Sequence, residues 1–397
     1  MLILKMKTNI YDIIILAPGQ NTKQTSLQVG RLILEFSKTW RRNKQIMKRY
    51  GNLYPQVYDM VNIRVAHENA KRGKSHYREV KQVDANPERY FKRIHYMLKN
   101  KAFHNSRYKV FNHFDGGKMR EIYKLPYFPD RIIHHCIMQV VEPIWIKTLI
   151  PNTFACIAGR GIHKGVDKLK IALRNKEETE YCLKCDVKKF YPSVDHEVLK
   201  SIIRKKIKDS DMLWLLDEII DSAPGIPIGN YLSQHFGNLY LSGIDHKMKE
   251  LDGCKYYFRY CDDIVILHHN KEYLHMVKDK LILYLKELKL ILKENWQVFP
   301  VDSRSIDFLG YKFYHGYTLL RKSTAVRFKR RISRVKKHHM DMNPISAIST
   351  VMSYYGWLKH ANCLNLTRTY IDYDIRNIIR TICFQNKIHN PLPSRII

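Results

Sequence analysis

Between residues 255 and 269 the chain reads KYYFRYCDDIVILHH, and this stretch constrains the fold more than any other. Two runs rich in β-formers flank Tyr260-Cys261-Asp262-Asp263, so the spacing predicts a hairpin with adjacent carboxylates at its tip. A solvated Asp-Asp turn is the plain alternative. A carboxylate pair bounded by Ile, Val and Leu is different, because carboxylates beside a core need cations to offset their desolvation.

Two other segments bear on this hairpin. Residues 181–196, YCLKCDVKKFYPSVDH, alternate as a strand that ends at Asp186. Cys182 and Cys185 form a lone CxxC without a second pair at zinc spacing, and they read as half of that strand. Asp195 then caps a helix running to about Ile207, with Val198, Leu199, Ile202 and Ile203 on its inner face. The gap from Asp186 to Asp262 accommodates two helices, a loop and a return strand. Two strand-end carboxylates can thereby converge on a divalent metal, and Mg²⁺ prefers few carboxylates plus substrate phosphate oxygens. Residues 224–242 begin with a Pro/Gly turn, in which Gly229 allows close backbone approach. A helix starting near Tyr231 follows, with Leu232, Phe236, Leu239 and Tyr240 inward. Ser233 and Gln234 lie on its first turns, where polar groups can reach a ligand.

Charge narrows the partners. The 397 residues carry 69 Lys+Arg against 37 Asp+Glu, a net +32, while a 45% hydrophobic fraction supplies a substantial core. That balance excludes a disordered or collagen-like chain and points to polyanions. No apolar run approaches the ~20 residues that cross a bilayer. The first residues hold only the short run 13–16, interrupted by Asp12 and closed by Pro18, which is no signal peptide. The eight Cys are therefore expected as reduced thiols in a cytoplasmic protein, and nucleic acid is the stronger reading of the charge than a membrane surface.

The rest of the chain is organised around these segments. Residues 1–46 keep no clear period and are expected to be an extension. The stretch 53–98 has helical periodicity with Arg64, Lys71, Arg72 and Lys74 between its apolar positions. Residues 108–114 and 119–125 are strand candidates about a Gly116-Gly117 turn. Pro126 and Pro129 end that hairpin, and Asp130 is expected to cap a helix over 131–143. GRGIHKG, residues 159–165, lacks the Walker GK[ST] ending and reads as a turn before a helix over 166–173. The basic carboxyl end predicts three helices, 321–337, 345–363 and 366–384.

Taken in order, these segments resemble the palm of a reverse transcriptase. Asp186 with Tyr191 matches that family's motif A, Gly229 and Ser233 match motif B, and Tyr260-Cys261-Asp262-Asp263 matches the Tyr-X-Asp-Asp of motif C. Phe308-Leu309-Gly310-Tyr311 matches the primer-grip hairpin. Lys118-Met119-Arg120-Glu121-Ile122 and Asp130-Arg131-Ile132-Ile133 match the fingers. The resemblance covers roughly residues 50–365. It implies an α+β, right-hand polymerase architecture, with fingers over 47–175, a palm of antiparallel sheet plus helices over 176–315, and a helical thumb over 316–397.

The resemblance also implies roles. Asp186 and Asp262 hold two Mg²⁺ ions, for which Mn²⁺ can substitute, with Asp263 assisting and Val187 beside Asp186 completing the metal site. Lys118 and Arg120 clamp the triphosphate, unless they are solvated hairpin charges; Arg131 does the same or caps its own helix. Tyr191 lies under the sugar and excludes a 2′-OH, which argues for DNA synthesis, unless it is a core tyrosine. Ile228, Gly229, Ser233 and Gln234 contact the nucleotide. The implied partners are an RNA template, a DNA or RNA primer and dNTPs. Where a motif D lysine would act as proton donor stands Trp296, with Lys293 nearby, so no general acid is assigned.

Motif B carries a finer resemblance. In place of Gln-Gly-X-X-X-Ser-Pro the chain has Ile228-Gly229-Asn230-Tyr231-Leu232-Ser233-Gln234, which looks like the enzymes of diversity-generating retroelements, as does the stretch from Ser353 to Asn362. Those enzymes copy a template-repeat RNA with frequent errors at adenine and work with a basic accessory variability protein. A phage-defence (antiviral) reverse transcriptase and a maturase-like RNA-binding splicing cofactor are the alternatives. Intact Asp186, Asp262 and Asp263 count against the last.

Overall fold

The structure is a computed structural model that describes residues 48–386 apart from 116, together with 389, 391 and 392. The extension expected over residues 1–46 lies outside the described residues. From Tyr54 the chain forms four helices, α1 Tyr54–Val57, α2 Met60–Lys71, α3 Arg78–Ala85 and α4 Pro87–Lys99. Asp59 starts α2 by accepting the Val61 and Asn62 N–H groups. A hairpin follows, β1 Lys109–Asp115 paired antiparallel with β2 Lys118–Lys124.

After a kinked turn over Tyr127–Arg131, in which Phe128 is extended, comes α5 Ile132–Ile146. Two expectations are corrected here. Asp130 does not cap the helix; its carboxylate is buried and accepts the Ser106 N–H at 2.8 Å. The helix also runs through Pro143, because Ile144 and Trp145 beyond it are buried, Trp145 against the Phe236 ring. The next helix, α6 Ile162–Ala172, starts four residues before the expected position.

The centre is a four-stranded antiparallel sheet of order β4-β5-β3-β6, built from β3 Tyr181–Asp186, β4 Tyr256–Tyr260, β5 Asp263–His268 and β6 Gln297–Pro300. Between β3 and β4 lie α7 His196–Arg204, α8 Ser210–Ile220 and α9 Ser233–Glu250; α10 Lys271–Glu287 follows β5. Helix α7 stops short of Ile207, because that residue leaves to bridge Tyr50. The sheet divides two cores. Leu183, Cys185, Ile264, Ile266 and Tyr257 face a core shared with α9 and α10. Cys182, Val265, Leu267, Phe258 and Phe299 face the other. Cys182 and Cys185 therefore point to opposite sides and cannot chelate one ion.

That second core is completed by a small sheet, β7 Ile306–Phe308, β8 Tyr311–Phe313 and β9 Thr318–Leu320, and by the carboxyl-terminal helices. Those helices number four rather than the expected three: α11 Lys322–His338, α12 Pro344–Leu358, α13 Leu364–Tyr370 and α14 Tyr373–Gln385. Helix α12 ends early because Asn362 N–H donates to the Thr318 carbonyl of β9 at 2.6 Å. Asp372 restarts the chain as α14 by accepting the Ile375 N–H at 3.0 Å.

Candidate functional site

Strand register brings the carboxylates together. Asp186, the last residue of β3, lies directly opposite Asp263, the first of β5. Asp262 occupies the two-residue turn between β4 and β5 with Cys261, whose φ is 53°. Burial first, and then the Asp186 charge beside it, push the Asp262 carboxyl up to about 7. Burial raises Asp263 as well, against the pull of Lys184, whose Nζ donates to Asp263 Oδ1 at 2.6 Å. Lys293 Nζ stands 3.4 Å from Asp186 Oδ2, and its backbone N–H donates to the Asp186 carbonyl at 2.9 Å. Val187 is buried and bridges Leu292.

The two adjacent aspartates thus have different partners, Asp262 a second carboxylate and Asp263 a cation. Among the described residues no set of three or more His, Cys, Asp or Glu side chains converges as a ready metal cage. The Asp186/Asp262 pair nonetheless fits a hard divalent cation. Two carboxylates held against each other are a place where such a cation replaces a proton, and an all-oxygen donor pair suits Mg²⁺ or Mn²⁺.

A cleft of about 510 Å³ opens beside the pair, lined by Arg120, Arg131, Tyr191, Ile228–Gln234 without Leu232, Tyr260, Cys261, Asp262 and Asp263. The Lys118 side chain lies outside the described residues. Among the described residues Arg131 makes no ion pair, and its Nε is buried without a partner. Tyr191, in a short 3₁₀ turn after β3, donates its hydroxyl to Cys261 Sγ at 3.8 Å, and burial raises its pKa.

The loop before α9 is fastened to the β1–β2 hairpin. Tyr123 N–H donates to the Ile228 carbonyl at 2.8 Å, and Gly229 follows with φ 112°. A Cβ there would stand 2.6 Å from the Tyr123 carbonyl oxygen, so only glycine permits this approach. Asn230 is buried, donating to Tyr108 Oη at 2.9 Å and accepting Leu232 N–H at 3.0 Å. Ser233 is buried too, and its hydroxyl donates to the Pro227 carbonyl at 2.7 Å. It ties the loop down instead of reaching outward. Gln234 is exposed, with Oε1 accepting the Cys156 thiol at 2.6 Å.

Phe308, Leu309, Gly310 and Tyr311 form the β7–β8 hairpin and are not among the residues lining the cleft. Phe308 and Tyr311 are fully buried. Leu309 and Gly310 turn with φ 53° and 84°, and a Cβ on Gly310 would stand 2.7 Å from the Trp357 ring. The Tyr311 ring stacks on Trp357 with centroids 5.2 Å apart. Lys184 connects this hairpin to the carboxylates, since the Nζ that binds Asp263 also sits 5.5 Å from the Phe308 ring centroid. Sequence reasoning missed Lys184, although its place two residues before Asp186 on one strand puts both on the same face.

A family model described as reverse transcriptase (RNA-dependent DNA polymerase) matches residues 112–313. Protein YkfC of Escherichia coli (strain K12) is 24% identical, the match covering 34% of this chain and 39% of YkfC. The group II intron-encoded protein LtrA of Lactococcus lactis subsp. cremoris is 22% identical, covering 50% of this chain and 45% of LtrA. The chain thus spans less than half the length of the curated relatives it matches. Among solved structures, apo telomerase from Candida tropicalis aligns with a TM-score of 0.47 at 14% identity, over 71% of this chain and 59% of that one.

Proposed function

The chain belongs to the reverse transcriptase (RNA-dependent DNA polymerase) family, and on that premise we propose that it copies RNA into cDNA at the Asp186/Asp262 pair. Its mixed helices and antiparallel sheets are consistent with a right-hand polymerase fold. The observation that carries the proposal is the strand register that sets Asp186 opposite Asp263 and puts Asp262 in the adjoining turn, on the wall of the cleft. When bound there, Mg²⁺ (two ions in the full site, with Mn²⁺ as a substitute) lowers the pKa of the primer 3′-OH and neutralises charge on the triphosphate.

The chain's own residues take the remaining work. Val187 adds a neighbouring backbone oxygen to the pair, and Asp263 acts through Lys184. Arg120, with Lys118 beside it in β2, binds the triphosphate, a task for which the guanidinium of Arg131 in the same cleft is also suited. The Tyr191 ring sits under the sugar. Fingers over 47–175, a palm over 176–315 and a thumb over 316–397 divide the fold. The basic face of α11 grips the backbone of the RNA template and its DNA or RNA primer in a salt-sensitive way. No helix among the described residues is long and apolar enough to cross a membrane, and the proposed setting is the cytoplasm.

Asp262→Asn tests the assignment. Primer extension on an RNA template with dNTPs should fall ~100- to 1000-fold, the range seen when a preorganised electrostatic group is lost, while primer–template affinity stays within about twofold. Extension at the wild-type rate would refute it.

The finer reading is an error-prone enzyme of a diversity-generating retroelement, working with a basic accessory variability protein. It is supported by Ile228 and Gln234 standing in a motif B where most family members carry Gln and Pro. A template/variable repeat pair with adenine-biased differences in the flanking DNA is the expected finding. Its absence would favour a phage-defence role instead.

A further inference from the structure

Beneath the Cys261–Asp262 turn lies an ion pair with no solvent exposure on either side chain, Arg259 with Asp245. Arg259 Nε donates to Asp245 Oδ1 at 2.7 Å, and Nη2 donates to Oδ2 at 2.5 Å. Tyr257 Oη and Thr153 Oγ1 complete the carboxylate at 2.7 and 3.1 Å. The other Arg259 protons go to the Asn238 side chain and carbonyl, both at 3.3 Å, and to the Cys261 carbonyl at 2.9 Å. All five guanidinium N–H groups therefore have acceptors.

Stability alone is a weak reason for such a pair. Two buried charges lose their hydration, and well-packed apolar residues in their place are often neutral or stabilising. What the pair supplies is geometry. Arg259 joins β4 to α9 through Asp245 and Asn238, and its backbone bonds Asn152 and Phe154 at 3.0 and 3.1 Å. From that anchor it reaches one strained place. Cys261 holds φ 53°, the left-handed region that an L residue rarely adopts. The carbonyl that Arg259 grips belongs to the peptide whose nitrogen is that of Asp262.

We propose that Arg259, held by Asp245, is a positioning residue: it fixes the plane of the Cys261–Asp262 peptide so that the Asp262 carboxylate meets Asp186 in one geometry, and thereby sets the affinity of the pair for a divalent cation. This rests on the reading of Asp186 and Asp262 as the metal-binding pair. Arg259 touches neither substrate nor cation. Its effect passes through the turn.

Two variants separate geometry from folding. Arg259→Met with Asp245→Leu removes both charges together and leaves no unpaired ion in the core. Arg259→Lys keeps a charge for Asp245 but lacks the fork that reaches Asp245 and Cys261 at once. Mn²⁺ is titrated into each protein carrying a dideoxy-terminated primer on an RNA template with the next dNTP, and free Mn²⁺ is read by electron paramagnetic resonance. Both variants should bind Mn²⁺ about tenfold more weakly, as when an outer-shell partner of a metal ligand is lost. Primer–template affinity should be unchanged, and more Mn²⁺ should restore the rate of extension with an ordinary primer. Wild-type Mn²⁺ affinity in a folded variant overturns the proposal, and Arg259→Lys decides if the double variant does not fold. Asp262→Asn in the same titration distinguishes the two levels. If it loses Mn²⁺ while the Arg259 variants do not, only the positioning role fails; if it keeps Mn²⁺, the metal-binding reading fails as well.

Discussion

Gly229→Ala puts a single methyl where the β1–β2 hairpin meets the loop before α9. The backbone there has φ 112°, which an L residue adopts at a cost of ~1–3 kcal/mol. The new Cβ would lie 2.6 Å from the Tyr123 carbonyl oxygen and 3.2 Å from Ile122 Cγ2. A backbone oxygen cannot swing aside as a side chain would, so β2 must part from the loop. That motion breaks the 2.8 Å bond from Tyr123 N–H to the Ile228 carbonyl, worth ~1 kcal/mol net. Together the two effects come to ~2–4 kcal/mol, shared between global stability and the shape of the cleft. Urea unfolding should show a loss in that range. Steady-state extension should show KM for dNTP raised ~10-fold or more, the equivalent of about 1.4 kcal/mol lost from nucleotide binding. Gly73→Ala is the control: its φ is 68°, but an added Cβ meets nothing within 4 Å. It should cost some stability and leave KM alone. If Gly229→Ala matches wild type in both measurements, or only loses stability as Gly73→Ala does, the contact does not shape a nucleotide site.

Tyr191→Ala should admit ribonucleotides, lowering the dGTP-over-GTP preference on an RNA template at least ~10-fold, which is ~1.4 kcal/mol of discrimination; an unchanged ratio would make Tyr191 a packing residue. Ile228→Gln should reduce misincorporation opposite template adenine about tenfold, since the amide restores a donor and an acceptor that Ile228 lacks. Sequenced cDNA with equally frequent adenine errors in both proteins would exclude Ile228 as the determinant. The buried His134, pushed down to about 3 by desolvation, stays neutral in the native state while the unfolded chain titrates near 6.5. Stability is therefore untouched above that pH and is lost as pH falls below it, by ~2 kcal/mol at pH 5 from this residue. Denaturant midpoints at pH 7.5 and pH 5 should show the loss, and His134→Leu should shrink it; equal pH dependence in both proteins would refute the cause.

Local pattern accounts for much of what the sequence revealed. Period-2 alternation ended β3 at Asp186, and the structure keeps that end; the two β-rich runs predicted a hairpin with Asp262 and Asp263 at its tip, and the structure leaves only Asp262 in the turn and draws Asp263 into the ladder. Where the deciding partner is remote in sequence, the pattern is silent. Asp130 has a residue type and position suited to a cap, but Ser106 across the fold takes its carboxylate. Ser233 sits where a hydroxyl could reach outward, but the Pro227 carbonyl takes it. Nothing in the helix that carries Asp245 marks it as the counterion of Arg259.

The paired aspartates make the limit concrete. Asp262 and Asp263 are neighbours of identical chemistry, and a sequence reading treats them as one acidic unit. The turn separates them. Asp262, outside the ladder, is free to lean onto Asp186, and like charge with burial raises its pKa. Asp263, inside the ladder, is held opposite Asp186 by the register, within reach of the Lys184 that alternation places on the same face. A cation that satisfies Asp263 leaves the Asp186/Asp262 pair with no lysine bond as short as its own, since Lys293 stands off at 3.4 Å. Asp186 keeps only that longer ion pair and Asp262 has a carboxylate for its neighbour, so a divalent cation beside these two offsets more charge repulsion than one beside Asp263.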